Sequence, residues 1–209
     1  MPTITDLPPG KVSEARSRLL ETASGLFYRE GVNTVGVDRI VSEASVTRAT
    51  FYRHFPSKEQ LVLAYLQAAH DGIVARMSAA LAIDDPKERL RAIGDDIVAQ
   101  IKSPGFQGCA FIKVASEFDD PDDAVRQAVA AHRRWFAKVV RAVFADAGNP
   151  IPANPARHFV MLRDGAMVAA YLDGPKQAAD TFLRGVDGLL RLGTGPDAGK
   201  PREQRRTQR

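Results

Sequence analysis

The feature that most constrains the fold is a near-continuous helical spacing of apolar residues, with almost none of the alternation a strand needs. Ala15, Leu19, Ala23, Leu26 and Phe27 fall on one stripe, as the 3.6-residue repeat of a helix requires. Val37, Ile40, Val41 and Ala44 repeat the pattern over a short segment, and Leu61, Val62, Tyr65, Leu66, Ala69 and Ile73 over a long one. Starts and stops lie between the stripes: Ser13 as a first cap, Gly31 as a stop, Ser57 with Gln60 at capping-box spacing, then Asp85-Pro86, "SPGFQG", "GNPIP" and Gly174-Pro175. In "DDPDD", Asp120 is placed to cap a helix whose first residue is Pro121. "CAFIKVASEF" is strand-like in its first half and is read as helix from its surroundings. The pattern predicts an all-α chain, with a three-helix unit over residues 12–56, a larger helical body over 57–193, and disordered tails at 1–11 and 194–209.

Composition excludes several classes. The 209 residues are 44% hydrophobic and 26% charged, ordinary for a globular protein. No run of about 18 apolar residues occurs, so no membrane span is expected. The first residues, "MPTITDLPPGK", lack the apolar core of a secretory signal. Cys109 is the single cysteine, which rules out an intrachain disulfide and a cysteine metal cluster. A cytoplasmic protein is expected. The pI of 9.4 and net charge of +4 suggest a nucleic-acid partner, but their distribution weakens the argument. From Gly193 onward Lys200, Arg202, Arg205, Arg206 and Arg209 face only Asp197 and Glu203, so most of the net charge sits in the tail. A nucleic-acid reading must rest on local placement.

That placement is found in "ASVTRATFYRHFPSKEQL", residues 44–61, which has no acid between Val46 and Ser57. Two short helices joined by a tight turn, the second polar and basic, make a helix-turn-helix. The second helix must be braced from behind by apolar residues and flanked by groups that hold phosphate. Phe51 and Phe55, one turn apart, supply the brace, and Thr47 caps the helix. Thr50, Tyr52 and His54 offer hydrogen bonds; Arg48, Arg53 and Lys58 offer charge. At 100° per residue Arg53 lies opposite the two phenylalanines, whereas Arg48 falls nearer their side.

Over Arg16–Leu66 the sequence resembles the DNA-binding domain of TetR-family transcriptional regulators, on the line "ETASGLFYREGVNTVGVDRIVSEASVTRATFYRHFPSKEQLVLAYL". The resemblance implies an all-helical fold of about nine helices, working as a homodimer on double-stranded DNA at a palindromic operator. It implies that Arg48, Ala49 and Thr50 face bases and that Tyr52, His54 and Lys58 hold phosphate. The amino end of the helix at Val37 would sit against a phosphate. Two positions depart from the family pattern. Ser45 stands where a turn glycine is usual, at a cost of about 1 kcal/mol if left-handed. Gly36 stands where a Ser or Thr cap is usual, and a hydroxyl is lost.

"GFQGCAFIKVASEFDDPDDAVRQAVAAHRRWF" is similar to the regulators grouped with the lincomycin-resistance repressor. A regulator of this type needs a largely apolar pocket for a small-molecule effector. Candidate lining residues are Phe106, Cys109, Phe111, Phe118, Trp135, Phe136 and Met161, though for any one of them plain core packing is the commoner role. His132 and Arg133 are candidates to meet an anionic ligand, and surface residues otherwise. Cys109 is either a redox sensor or, as is commoner, a small core residue. "ARHFVMLRDGAMVAAYL" is apolar nearly all round and must be covered on several sides. Its Gly165, Ala166, Ala169 and Ala170, with Phe182, Val186, Leu189 and Leu190 of the last helix, are read as a dimer interface in a four-helix bundle. A buried helix pair in a monomer is the competing reading.

No nucleophile elbow, zinc motif or dinucleotide fingerprint occurs, and no cofactor or metal is expected. "GTGPDAGKP" fails as a phosphate loop, with Thr194 and Pro201 where glycine and a hydroxyl residue are required. Two functions remain: a ligand-responsive DNA-binding repressor, or a helical ligand-binding or catalytic protein that does not read DNA.

Overall fold

The computed structural model describes residues 13–192; the tails expected at 1–11 and 194–209 lie outside them. Nine helices follow one another among the described residues, with no strand: α1 (Glu14–Glu30), α2 (Val37–Glu43), α3 (Arg48–His54), α4 (Lys58–Leu81), α5 (Pro86–Ile101), α6 (Ala110–Ala115), α7 (Ala124–Asp146), α8 (Ala153–Asp173) and α9 (Pro175–Leu192). The all-α expectation holds, including the helical reading of the segment after Cys109. The described residues form two compact units, one of residues 13–69 with Lys113–Ala128, the other of His70–Ile112 with residues 129–192. The cuts fall inside α4, α6 and α7, not in the loop before α4 where the sequence division was drawn.

Caps explain most boundaries. Asp85 accepts from the N–H groups of Lys87 and Glu88 at 2.7 and 3.0 Å, with Pro86 opening α5. Those two donors hold the Asp85 carboxyl below its usual pKa. Ser57 accepts from Gln60 N–H at 3.2 Å. Two cap readings need correction. Ser13 occupies the cap position of α1 with no side-chain bond to the helix; its hydroxyl lies 3.3 Å from His54 Nε2 instead. In "DDPDD" the helix begins later than read. Asp120 closes a turn onto Asp122 N–H, and Asp123 is the carboxylate that accepts from Val125 N–H at 2.7 Å in α7.

The first unit has its own core. Leu19, Ala23, Leu26 and Phe27 of α1 are buried with Ile40 of α2, Phe51 of α3, Phe55, and Leu61, Val62 and Leu66 of α4. Each such large side chain contributes about 1.5–3 kcal/mol. The loop between α1 and α2 is held from a distant part of the sequence. Val32 and Asn33 donate their N–H groups to the two oxygens of Glu117 at 2.9 and 2.6 Å. Lys113 Nζ donates to the Tyr28 carbonyl near the end of α1 at 2.6 Å. Gly31 has φ 91°, and a Cβ there would stand 3.1 Å from the Glu117 carboxylate, so glycine fits on both counts.

In the second unit α8 and α9 pack along each other, with α5 against both. A Cβ on Gly185 would lie 2.9 Å from Leu162 Cδ1, so the missing side chain permits the close approach of α9 to α8. Phe159 of α8 and Phe182 of α9 meet edge to face at 5.7 Å, a favoured aromatic geometry.

Candidate nucleic-acid interface

The turn from α2 to α3 is a Schellman ending. Val46 N–H bonds the Val41 carbonyl and Ser45 N–H the Ser42 carbonyl, both at 3.1 Å. Ser45 takes the left-handed position with φ 53°, a conformation that Cβ disfavours. Thr47 then caps α3 by accepting from Thr50 N–H at 3.1 Å, and the two threonine hydroxyls lie 2.9 Å apart.

The helix divides by face. Phe51 is 0% exposed and Phe55 2%, as the brace requires, and Arg16 caps the Phe55 ring at 5.0 Å. Thr47, Arg48, Ala49, Tyr52 and Arg53 are exposed, while Val37, Thr50, His54 and Lys58 are half-buried. Arg48, which the wheel set near the phenylalanines, is 61% exposed at its side chain, because the first turn of α3 projects past the core. His54 turns toward α1 and Ser13. Burial holds the Lys58 ammonium below its usual pKa, with Glu117 opposing. Arg48 is engaged by Asp38 of α2, Nη2 to Oδ1 at 2.5 Å. Arg39 beside it is engaged by Glu30 and, at 2.9 Å, Glu43. The sequence reading missed Asp38 and Glu117, whose partners lie 10 and 84–85 residues away, beyond any helical period.

In the second unit some effector candidates come together. Phe111 stacks on His132 at 3.6 Å, and His132 Nδ1 lies 3.0 Å from His70 Nδ1. Trp135 meets His70 edge-on at 4.7 Å. Phe136 lies under the Arg163 guanidinium at 5.6 Å. Buried Arg163 donates to Cys109 Sγ at 3.3 Å and to Asp164 at 2.9 Å; Arg133 holds the other Asp164 oxygen at 2.6 Å. Burial, then the charges of Arg163, His70 and Arg133, push the His132 pKa down to about 3. Phe106 is half-buried, and Phe118 belongs to the first unit. Met161 is 70% exposed on α8, apart from this cluster and at the border of an open groove between α8 and α9. Arg163, Asp164 and His70 were missed. The first two form a charged pair between the apolar runs of α8, a signal the sequence carries. Among the described residues no third His, Cys, Asp or Glu joins His70 and His132 in a metal-holding group.

The proposed dimer face also needs correction. Ala166, Ala170, Phe182, Val186, Leu189 and Leu190 are buried within the single chain, so a second copy has almost none of their area left to cover. Gly165 is exposed and Ala169 half-buried. Met161, Val168 and Leu172 of α8 are exposed beside them. Met161, Leu162, Gly165, Ala169, Gln177 and Thr181 border an open groove of about 560 Å³ between α8 and α9.

Comparison with known proteins bears on both units. The sequence model of bacterial regulatory proteins of the tetR family matches residues 19–65. A tetracyclin repressor-like C-terminal domain model matches residues 86–186. A solved TetR-family transcriptional regulator from Streptomyces coelicolor is 48% identical, with a TM-score of 0.86 over 88% of this chain and 97% of that one. The transcriptional activator FasR of Mycolicibacterium smegmatis is 40% identical over 80 residues, 38% of this chain; the chain spans only 36% of that protein. The regulator LmrA of Bacillus subtilis is 25% identical over 126 residues, 58% of this chain and 67% of that protein. With its helix-turn-helix, the nine helices of its described residues and a near-full-length relative of that family, the chain belongs to the TetR family of bacterial regulatory proteins.

Proposed function

We propose that the chain is a dimeric DNA-binding transcriptional repressor, released from a palindromic operator by a small-molecule effector. The observation that carries this reading is the two-faced α3. Its phenylalanines are buried, while Arg48, Ala49, Tyr52 and Arg53 face outward with no acid of their own helix among them. A helix with no duplex to meet has no use for that arrangement, which argues against a ligand-binding or catalytic protein that does not read DNA. Residues 12–56 form the reading domain and 57–193 the effector and dimer domain. Arg48, Ala49 and Thr50 face bases; Tyr52, Arg53 and Lys58 hold phosphate, with the amino end of α2 at Val37 and the Thr47 cap beside them. His54, engaged with Ser13, braces α3 against α1. The effector domain is akin to that of the lincomycin-resistance repressor group, for which the similarity to LmrA speaks. The effector meets Phe106, Cys109, Phe111, Trp135 and Phe136. The dimer forms through the exposed α8 and α9 surface around Gly165 and Ala169.

The purified protein should retard a palindromic fragment from its own upstream region, with affinity falling steeply with salt. Half-sites should lie about one helical turn, or a multiple, apart. Tyr52→Ala and Arg48→Ala should each weaken binding at least about tenfold while the circular dichroism spectrum stays unchanged. Failure of the wild type to bind any such fragment at low salt sinks the reading.

A further inference from the structure

We propose that Asp38 is a positioning residue for DNA reading: it clamps the Arg48 guanidinium so that the arginine recognises guanine and does not settle on phosphate. The proposal rests on the reading that α3 enters the major groove. Asp38 lies in the first turn of α2 and Arg48 is the first residue of α3, so one ion pair, Nη2 to Oδ1 at 2.5 Å, ties the starts of the two helices. Both partners face solvent, at 80% and 61% side-chain exposure.

Neither residue makes sense there alone. An exposed ion pair contributes about 0–1 kcal/mol, so stability is a weak reason for the contact. A carboxylate in the first turn of a helix that abuts a phosphate repels that phosphate. Complementing the helix dipole explains an acid at 38 but not its bond to a residue ten positions on. Arg39 is not available to neutralise Asp38, since Glu30 and Glu43 hold it. The charge at 38 is therefore balanced by Arg48, and the balance has a consequence for recognition. A free arginine on such a surface takes the nearest phosphate. An arginine whose Nη2 is held by a carboxylate has less net charge to offer, and its Nε and Nη1 donors are left to point away from that contact. Paired donors in a plane match O6 and N7 of guanine, and no other base offers two acceptors on its major-groove edge. The pair thus exchanges affinity without sequence preference for selectivity at one base pair in each half-site.

The test is selection of binding sites from a random duplex pool by the full-length protein, followed by titration of the selected duplex and of duplexes changed one base pair at a time. Wild type should fix a guanine at one position per half-site. Asp38→Asn, isosteric and exposed, should keep the rest of the consensus but lose at least about fivefold in preference for that guanine. Its affinity for random duplex should be unchanged or higher, with a salt slope steeper by about one. Arg48→Ala should lose the same guanine, and the double variant should lose no more than Arg48→Ala alone. A general structural defect would lower every position together and would overturn the proposal, as would an Asp38→Asn protein that keeps its guanine preference. Both results leave the DNA-reading function intact. A wild type that selects no sequence overturns the function and the proposal together.

Discussion

Ser45 takes a φ of 53° at the end of α2 because both bonds of the Schellman turn require a left-handed residue there. Its side chain is exposed and no hydrogen bond of its hydroxyl offsets the conformation. Ser45→Gly should therefore raise stability by about 1 kcal/mol, offset in part by the freer unfolded chain. Urea denaturation read by circular dichroism checks this, and a lower midpoint would contradict it. The unusual φ follows from the position of Ser45 between "SEA" and the Thr47 cap, so it was legible in the sequence as a departure. His132 was legible only as a residue type. Its surroundings come from three other helices, His70 of α4, Phe111 of α6, and Arg163 and Asp164 of α8, with Arg133 beside it on α7. Those surroundings hold it neutral, with a folded pKa of about 3 against 6.5 when free. The unfolded chain then binds the extra proton first, so stability is full above about pH 6.5 and is lost as pH falls toward 3, by at most about 1.4 kcal/mol per unit. Carboxylates titrate over the same window, so the comparison is between wild type and His132→Gln. The variant should have a shallower slope of unfolding free energy from pH 6.5 to 4; identical slopes would rule out the assignment.

At the scale of elements, α2 lacks the side-chain cap that Thr47 gives α3. Gly36 is extended, at φ −80° and ψ 156°, makes no side-chain bond to the helix, and has nothing within 4 Å of where a Cβ would stand. A serine fits that backbone and that space. Gly36→Ser should add a few tenths of a kcal/mol to stability and, through a hydroxyl at the phosphate-facing end of α2, strengthen operator binding by a fewfold factor. Titration of a labelled operator duplex at two salt concentrations measures it; weaker binding would argue that α2 does not approach the backbone end-on. Helix ends were legible where one residue had one cap to make, as at Asp85 and Thr47. They were misread where several carboxylates compete, as in "DDPDD", because spacing alone cannot say which Asp finds a free N–H. The contact of Glu117 with the α1–α2 loop had no signal at all, since it joins residues 84–85 apart. The face of α8 was misassigned for a different reason. Phe159, Ala166, Met167 and Ala170 are buried, and Met161, Val168 and Leu172 are exposed. The helix thus carries two apolar stripes, and the 3.6-residue period locates both without saying which is turned inward.

For the whole molecule, that outer stripe is the surface on which the proposed dimer rests. A helix-turn-helix regulator reads two half-sites only if two copies hold their α3 helices at a fixed spacing, so a surface must join them. Exposed Met161, Val168 and Leu172 form an apolar strip of a kind that monomers seldom leave uncovered. Gly165 sits within the strip, exposed, with open space around its Cβ position. In the isolated chain an arginine there meets nothing and even improves the helix, by up to about 1 kcal/mol over glycine. Against a second copy packed at helix-to-helix distance it has no room, and it carries a charge into an apolar seam where no partner awaits it. The two-fold symmetry of such an interface places the substitution on both sides, so each dimer meets two arginines. Gly165→Arg should therefore keep or slightly raise the helical signal of the protomer, while light scattering at micromolar concentration shows the mass halved. Operator affinity should fall at least about a hundredfold, as each copy is left with one half-site, and binding to random duplex should change little. A variant that stays dimeric with full operator affinity would place the interface elsewhere, because no packed α8 and α9 seam can take that side chain at Gly165.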